Sequence, residues 1–347
     1  MKFKLVLVAI LFGSLSSLSA EKLTVTSFGG DYGDAQESHM IKPFEVATGV
    51  DVLFDNYDGG VDELKAQVES GNIKWDVVDI EYIDIERACS EGLLEEYSHK
   101  TLADGDDGSS YKDDFIDNSL HECGAGVIIW SIIFAYNSDN MKGSPSTIKD
   151  LFNTKKYAGK RAFRKRPQVN LEWALLADGV AIKDVYKVLA TKKGQDRAFK
   201  KLSSIKKDII WFDSWSQAPQ LLNDKSAVFV QSANGRIFGA IQNENKPFEI
   251  VWDGQVYDFD GWAIVKGSKN KKLAEKFIRY ATSTIPLSGM PDVAYGPTRK
   301  SSSKFVPKDV IPHLPSSHTE QGFKADAGFW ADYGATLEEK FNAWVLK

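Results

Sequence analysis

The chain has 347 residues, of which 43% are hydrophobic and 26% charged, and its formal net charge is −5. This composition is typical of a folded globular protein, and the acidic balance argues against nucleic acid and suits a cationic or neutral ligand. Because a single hydrophobic core usually stops growing at about 250–300 residues, we expect two lobes.

The first twenty residues have the pattern of a cleavable secretory signal. Lys2 and Lys4 form a basic start, residues 5–12 are all apolar, and residues 13–20 are mostly small. A bilayer span needs about 20 apolar residues, so this stretch predicts export and cleavage rather than anchoring. Because no cysteine lies near the expected signal cleavage site, we expect a protein without a lipid anchor that diffuses freely in a Gram-negative periplasm.

Cys89 and Cys123 are the only two cysteines of the chain. An even count in an oxidising compartment favours one disulfide. Two cysteines alone cannot build a structural zinc site and the five histidines lack metal-ligand spacing, so we expect neither metal nor cofactor. The acidic segment 104–108 lacks the spacing and the final Glu of an EF-hand and is interpreted as a solvated loop.

The amino-terminal part alternates strands with helices. Strands are predicted at residues 23–28, 50–54 and 75–80, and helices at 35–48, 62–70 and 83–91. Glycines close several of these helices, as is usual for C-caps. This β-α-β-α-β alternation predicts a parallel sheet with helices on both faces, and ligands then sit beyond the carboxyl ends of the strands.

A long apolar strand at residues 127–136 has the length needed to cross from one lobe into another. A second series follows, with strands at 159–163, 209–212, 227–231, 248–252 and 262–265 and helices at 171–178, 193–205, 217–223 and 273–282. We therefore predict an α/β fold of two doubly wound lobes joined by crossovers. Lobe 1 is expected to comprise residues 21–133 and 256–300, and lobe 2 residues 134–255 and 301–347.

Catalytic motifs are missing from the sequence. It contains no G-x-S-x-G, no H-E-x-x-H, no Walker sequence and no C-x-x-C. The pair Gly124 and Gly126 precedes a strand instead of following one, which excludes the dinucleotide-binding context. We therefore expect a protein that is not an enzyme, with a secreted hydrolase using paired carboxylates as an alternative.

Aromatic and acidic side chains gather where predicted strands begin or end. The candidate ligand-binding residues of this kind are Phe28, Tyr32, Glu81, Trp215, Asp258, Asp260, Trp262 and Tyr295. Aromatic faces attract ammonium groups and carboxylates compensate their charge, so the set indicates an organic-cation site. Taken singly, each residue is more often structural, but strand alternation would point Asp258, Asp260 and Trp262 to one side.

Several short segments resemble a known family. They are Trp75-Asp76-Val77-Val78-Asp79, Glu91-Gly92-Leu93, Ile129-Trp130 ahead of Tyr136-Asn137, Ser232-Ala233-Asn234-Gly235 and Tyr295-Gly296-Pro297-Thr298. In order and spacing, over nearly the whole mature chain, they are similar to periplasmic substrate-binding proteins of polyamine ABC transporters. The resemblance implies a monomeric type II periplasmic-binding-protein fold that closes on putrescine or spermidine and delivers it to a membrane permease.

The resemblance also implies roles for particular residues. By position, Asp260 matches the acid that grips an ammonium group, Glu81 a ligand-contacting residue after the third strand, and Tyr32 the turn tyrosine, while Asn234 lies within a matching segment. The turn Gly29-Gly30 departs from the family's usual Trp. It looks like a subgroup that takes other amines, including amino acids such as 4-aminobutyrate.

The basic segment 160–166 bears on this choice of ligand. If it ends a strand at the cleft, Arg161 or Arg164 would clamp a carboxylate, which polyamines lack. The alternative is that these basic residues lie on the surface, where they would contact the transporter. A ferric-ion-binding protein would share the lobed fold but needs clustered tyrosines, and the sequence has no adjacent tyrosine pair.

Overall fold

The structure, a computed structural model, describes residues 21–347, so the predicted signal at 1–20 lies outside the described residues. The strands are β1 Lys22–Ser27, β2 Asp51–Asn56, β3 Val77–Glu81, β4 Leu120–His121, β5 Gly124–Asn137, β6 Arg161–Arg164, β7 Ile209–Phe212, β8 Phe229–Ala233, β9 Phe248–Ile264, β10 Gly296–Pro297 and β11 Gly322–Lys324. The α-helices are α1 Gly30–Gln36, α2 Lys42–Thr48, α3 Asp62–Ser70, α4 Tyr82–Ser90, α5 Tyr111–Asp114, α6 Ile148–Leu151, α7 Asn170–Ala177, α8 Val185–Leu189, α9 Lys192–Ser203, α10 Gln217–Asn223, α11 Asn234–Glu244, α12 Lys271–Ala281, α13 Thr284–Leu287, α14 Lys300–Ser303 and α15 Ala327–Leu346.

Two parallel half-sheets meet at a central antiparallel pair of strands. The strand order is β2-β1-β3-β9-β5-β8-β6-β7. Strand β1 runs parallel to β2 and β3, and β6 runs parallel to β7 and β8. Strands β5 and β9 are antiparallel to each other and to their outer neighbours. This arrangement confirms the predicted α/β fold of two lobes joined by crossovers.

The two central strands are long enough to belong to both lobes. Strand β5 has 14 residues and β9 has 17. Residues 260–264 of β9 pair with β3 in lobe 1, whereas residues 132–135 of β5 pair with β8 in lobe 2. The sequence predicted β5 as a crossing strand but divided β9 into two short strands, at residues 248–252 and 262–265. The exact lobe boundaries given above stay a prediction.

The crossing strand β5 is buried because its residues are largely apolar. Every residue of β5 except the last is buried, as expected for a strand covered on both faces.

The predicted disulfide joins Cys89 at the end of α4 to Cys123 just before β5. The ring of His121 lies within 4.8 Å of both sulfur atoms, but these sulfurs are bonded to each other and not available as ligands. Within residues 21–347 no helix is long and apolar enough to cross a membrane.

Candidate ligand-binding site

Four buried acids lie where the two lobes meet. Asp79 and Glu81 are on β3, and Asp258 and Asp260 are on β9. Each is at most 3% exposed. Glu81 lies directly opposite Asp260 in the antiparallel pairing, so their side chains share one face of the sheet. The ends of strands at a lobe interface are where the topology predicts a ligand.

A small cavity lies between the lobes beside these acids, and we call it the central cavity. Its lining residues are Phe28, Tyr32, Glu81, Trp130, Trp215, Ala233, Arg236, Asp260 and Tyr295. Six of the sequence-predicted residues are thus brought together.

Asp79 anchors one wall of the central cavity. Its Oδ2 accepts hydrogen bonds from Ser27 Oγ at 3.0 Å, from Tyr32 Oη at 2.8 Å and from Gln36 Nε2 at 2.6 Å. Burial raises the pKa of Asp79 to about 6, and the three hydrogen bonds partly oppose that rise. The carboxyl group therefore fixes the ring of Tyr32, a positioning role that the sequence analysis missed.

Asp260 lines the central cavity without a basic partner. Arg164 and Arg166 pair with Glu81 and Asp84 instead, and within residues 21–347 Oδ1 of Asp260 has no hydrogen-bond partner. Burial, together with the carboxyl groups of Asp79 and Glu81, raises the pKa of Asp260 well above its usual range. An ammonium group in the cavity would stabilise the carboxylate, so this position is suited to bind a cation.

Arg236, in the first turn of α11, supplies a positive charge to the same cavity. Its Nη2 donates to the carbonyl oxygens of Phe28, at 3.3 Å, and Gly29, at 2.7 Å. Both Gly29 and Gly30 have left-handed backbones, and a Cβ on Gly30 would overlap Nη1 of Arg236. The double-glycine turn therefore makes room for the guanidinium group.

Arg236 forms no ion pair with a carboxylate among residues 21–347, so its charge is available to a ligand. Ala233, the N-cap of α11, lines the cavity as well. The first backbone N–H groups of a helix lack intrahelical partners and favour an anion. The sequence analysis overlooked Arg236, although its position at the start of the helix after β8 was a usable signal.

Glu81 is already engaged by side chains of the other lobe. Its two oxygens accept from Arg164 Nη1 at 2.7 Å and from Arg166 Nη1 at 2.9 Å, and Trp215 Nε1 donates at 3.2 Å. Burial acts to raise the pKa of Glu81, but the two arginines outweigh it and lower that pKa. Glu81 is therefore a carboxylate with its charge compensated by protein groups.

The two arginines proposed as carboxylate clamps lie in different places. Arg164 is at the lobe interface and its guanidinium lies 4.4 Å from the centre of the Trp215 ring. The guanidinium of Arg161 donates to the backbone carbonyls of Leu151 and Gly159 within lobe 2 and does not line the central cavity. Residues three apart on a strand point to opposite faces, so the two arginines cannot both face the cleft.

Three further predicted residues lie outside the central cavity. Asp258 borders a neighbouring cavity, where its Oδ2 accepts from the backbone N–H of Ile83 at 2.6 Å. Burial raises the pKa of Asp258 to about 8. Trp262 is fully buried against Phe277, and Asn234 bonds to the backbone of β5. The binding roles of these residues stay predictions.

Comparison with known proteins agrees with this architecture. A gamma-aminobutyric acid-binding protein of Pseudomonas aeruginosa is 39% identical over 99% of this chain and 96% of its own length. Among solved structures, the Atu4243-GABA receptor is 33% identical with a TM-score of 0.81, covering 94% of this chain and 98% of that one. The binding protein AgtB from A. tumefaciens R10, in complex with agropinic acid, is 27% identical with a TM-score of 0.84, covering 94% and 99%.

The family of the chain follows from a match over most of its length. Residues 39–314 match the bacterial extracellular solute-binding proteins. Such proteins bind solutes for ABC transporters and are not enzymes, as the absence of catalytic motifs predicted. With a relative 39% identical over nearly the whole chain, this protein belongs to the bacterial extracellular solute-binding protein family.

Proposed function

We propose that the protein captures 4-aminobutyrate, or a closely similar ω-amino acid, and delivers it to the permease of an ABC transporter. One observation carries this proposal: Asp260 and Arg236 line the same small cavity from opposite lobes. A zwitterion with an ammonium group at one end and a carboxylate at the other complements this pair of charges.

The ammonium end is assigned to Asp260 and to the aromatic side chains around it. Tyr32 and Tyr295 pack edge to face with ring centres 5.2 Å apart, and both line the cavity beside the acid. Cation–π contacts contribute about 0.5–2 kcal/mol each. The remaining aromatic walls, Phe28, Trp130 and Trp215, are suited to cover the methylene groups of the ligand.

The carboxylate end is assigned to Arg236 and the start of α11. The guanidinium group and the backbone N–H groups of the first helical turn are both donors for an anion. This assignment replaces the expectation from the sequence that Arg161 or Arg164 holds the carboxylate of the ligand. Arg161 lies within lobe 2, and Arg164 is paired with Glu81.

A polyamine, the main expectation from the sequence, suits this cavity less well. A diamine bound to Asp260 would bring its second ammonium group towards Arg236, and Glu81 has no uncompensated charge to receive it. The names of the similar proteins, a gamma-aminobutyric acid-binding protein and a GABA receptor, also favour the carboxylated amine. A ferric ion is disfavoured because burial raises the pKa of Tyr32 and Tyr295, opposing tyrosinate formation.

The predicted export signal at residues 1–20 and the family together support action in the periplasm. That the protein is a freely diffusing monomer stays an expectation from the sequence.

A thermal-shift screen tests the ligand with 4-aminobutyrate, putrescine, spermidine and ferric citrate. At 100 times its dissociation constant a ligand stabilises by about 2.7 kcal/mol, and we expect this only with 4-aminobutyrate. Stabilisation by putrescine or spermidine without 4-aminobutyrate would overturn the proposal.

A further inference from the structure

Four charged side chains form a compact group across the two lobes, and we call them the interlobe quartet. Lobe 1 contributes Glu81 from the end of β3 and Asp84 from the first turn of α4. Lobe 2 contributes Arg164 from the end of β6 and Arg166 two residues later. The ion pairs are Glu81–Arg164 at 2.7 Å, Glu81–Arg166 at 2.9 Å and Asp84–Arg166 at 2.7 Å.

The interlobe quartet is balanced in charge and largely shielded from water. Its two carboxylates are at most 4% exposed, and the side chains of Arg164 and Arg166 are 6% and 18% exposed. Charged groups with this degree of burial need partners, because an unpaired buried charge is strongly destabilising. Within residues 21–347 the side chains that bond to each acid belong to the opposite lobe, so separating the lobes breaks every one of these three pairs.

The backbone of lobe 1 is shaped to receive Arg164. The carbonyl oxygen of Asp58 accepts from Nη2 of this arginine. Gly59 has φ +79, and a Cβ at that position would lie 2.9 Å from the same nitrogen. A side chain there would therefore collide with the guanidinium group in the closed arrangement. The contact is thus supported by charges, a carbonyl oxygen and a glycine that leaves space.

The interlobe quartet touches the central cavity through two residues that line it. Glu81 lies on the cavity wall, and Trp215 both lines the cavity and donates to Glu81. The Arg164 guanidinium lies over the Trp215 ring. Neither arginine lines the central cavity itself. Both line the neighbouring cavity with Asp258. For a ligand in the central cavity they are therefore placed to act indirectly, by holding Glu81 and Trp215 in position.

We infer that Arg164 and Arg166 are positioning residues that latch the closed form and set how long the ligand stays bound. A latch that forms only after the lobes meet stabilises the closed complex and leaves the first encounter with the ligand unaffected. The inference rests on the proposed function because 4-aminobutyrate is the ligand used to measure it. Loss of the latch should therefore speed dissociation of the ligand and leave its association rate nearly unchanged.

The test measures association and dissociation of 4-aminobutyrate by stopped-flow tryptophan fluorescence, with Trp130 and Trp215 as reporters in the cavity wall. Arg166→Gln removes two of the three pairs at the most exposed member of the quartet. We expect its dissociation rate to rise at least tenfold, with the association rate changed less than threefold. Asp84→Asn breaks one pair from the other lobe and should raise the dissociation rate by a smaller factor.

Two further variants complete the comparison. Arg166→Lys keeps the charge and should recover part of the slow dissociation. Arg197→Gln removes an arginine that pairs with Asp178 within lobe 2 and should behave as the unmodified protein. Unchanged dissociation rates in both Arg166→Gln and Asp84→Asn would overturn the latch.

Failure of the proposed function gives a different result, namely no binding of 4-aminobutyrate by the unmodified protein. In that case the latch is tested with whichever amine stabilises the unmodified protein in the thermal-shift screen. A dissociation rate at least tenfold faster for Arg166→Gln supports the latch, and unchanged rates in both Arg166→Gln and Asp84→Asn overturn it.

Discussion

Asp260 on β9 and Arg236 on α11 face one cavity from opposite lobes, and neither is compensated by an opposite charge within residues 21–347. Each lobe thus holds half of a charge pair separated by a space with aromatic walls. A ligand that carries both opposite charges satisfies the two residues at once only when the lobes are together. The same pair of residues therefore explains both selectivity for a zwitterion and closure around it.

Replacing Asp260 by Asn tests the ammonium end of the site. The substitution keeps the shape of the side chain but removes the charge that would compensate the ligand's ammonium group. We expect the dissociation constant for 4-aminobutyrate to rise at least tenfold, or about 1.4 kcal/mol, in titration calorimetry. Asp178→Asn, which alters an acid on the surface of lobe 2, serves as the matched control. A nearly unchanged constant for Asp260→Asn would remove this residue from the site.

Replacing Arg236 by Gln tests the carboxylate end. Charge-assisted hydrogen bonds contribute about 1.5–3 kcal/mol, so affinity for 4-aminobutyrate should fall on the order of 100-fold. n-Butylamine lacks the carboxylate, and its weaker binding should change less than threefold. Competition calorimetry with both compounds measures the difference, and Arg197→Gln is the control. Equal losses for the two compounds would show that Arg236 supports the fold instead of reading the carboxylate.

The order of strands and helices was largely predictable because each element has its own local pattern. Helix α3 and strand β7 occur at the predicted residues, and glycine follows α3 as its C-cap. The continuity of β9 was not predictable from such patterns. Residues 253–254 read as a turn, yet hydrogen bonds to β5 carry the strand onward, and those bonds depend on residues more than 100 positions away.

The site was predictable only in part, for a related reason. Asp260 and Tyr32 were found because an acid and an aromatic stand at strand ends within segments that resemble a known family. Arg236 was missed because its role depends on a turn at residues 29–30, about 200 positions earlier, which leaves space for it. Glu81 was expected to bind the ligand, and its pairing with Arg164 and Arg166 becomes visible only when the lobes are brought together.

The disulfide should stabilise the fold without serving the site. Cys89 and Cys123 are separated by 34 positions in the sequence, and the chain-entropy relation gives about 3–4 kcal/mol for such a loop. Replacing both by Ser should lower the free energy of unfolding by about that amount in urea titrations. Neither cysteine lines the central cavity, so the dissociation constant for 4-aminobutyrate should stay within threefold. A much larger loss of affinity would place the disulfide in the binding mechanism.

At pH values below the raised pKa of Asp260, ligand binding should release protons. Burial and the nearby carboxyl groups raise the pKa of this acid, whereas a bound ammonium group favours its charged form and lowers that pKa. Below the raised pKa, binding therefore expels a proton and affinity increases as the pH rises. Above it, the proton is already lost and the affinity should level off.

Titration calorimetry in buffers of different ionisation enthalpy counts the protons released. Across a pH series we expect up to one proton per ligand below the raised pKa of Asp260, and none in Asp260→Asn, which cannot titrate at this position. Asp258 provides the matched comparison, since burial raises its pKa to about 8 but it borders the neighbouring cavity. Asp258→Asn should therefore retain most of the proton release. Proton release that persists in Asp260→Asn and disappears in Asp258→Asn would move the ammonium site to the neighbouring cavity.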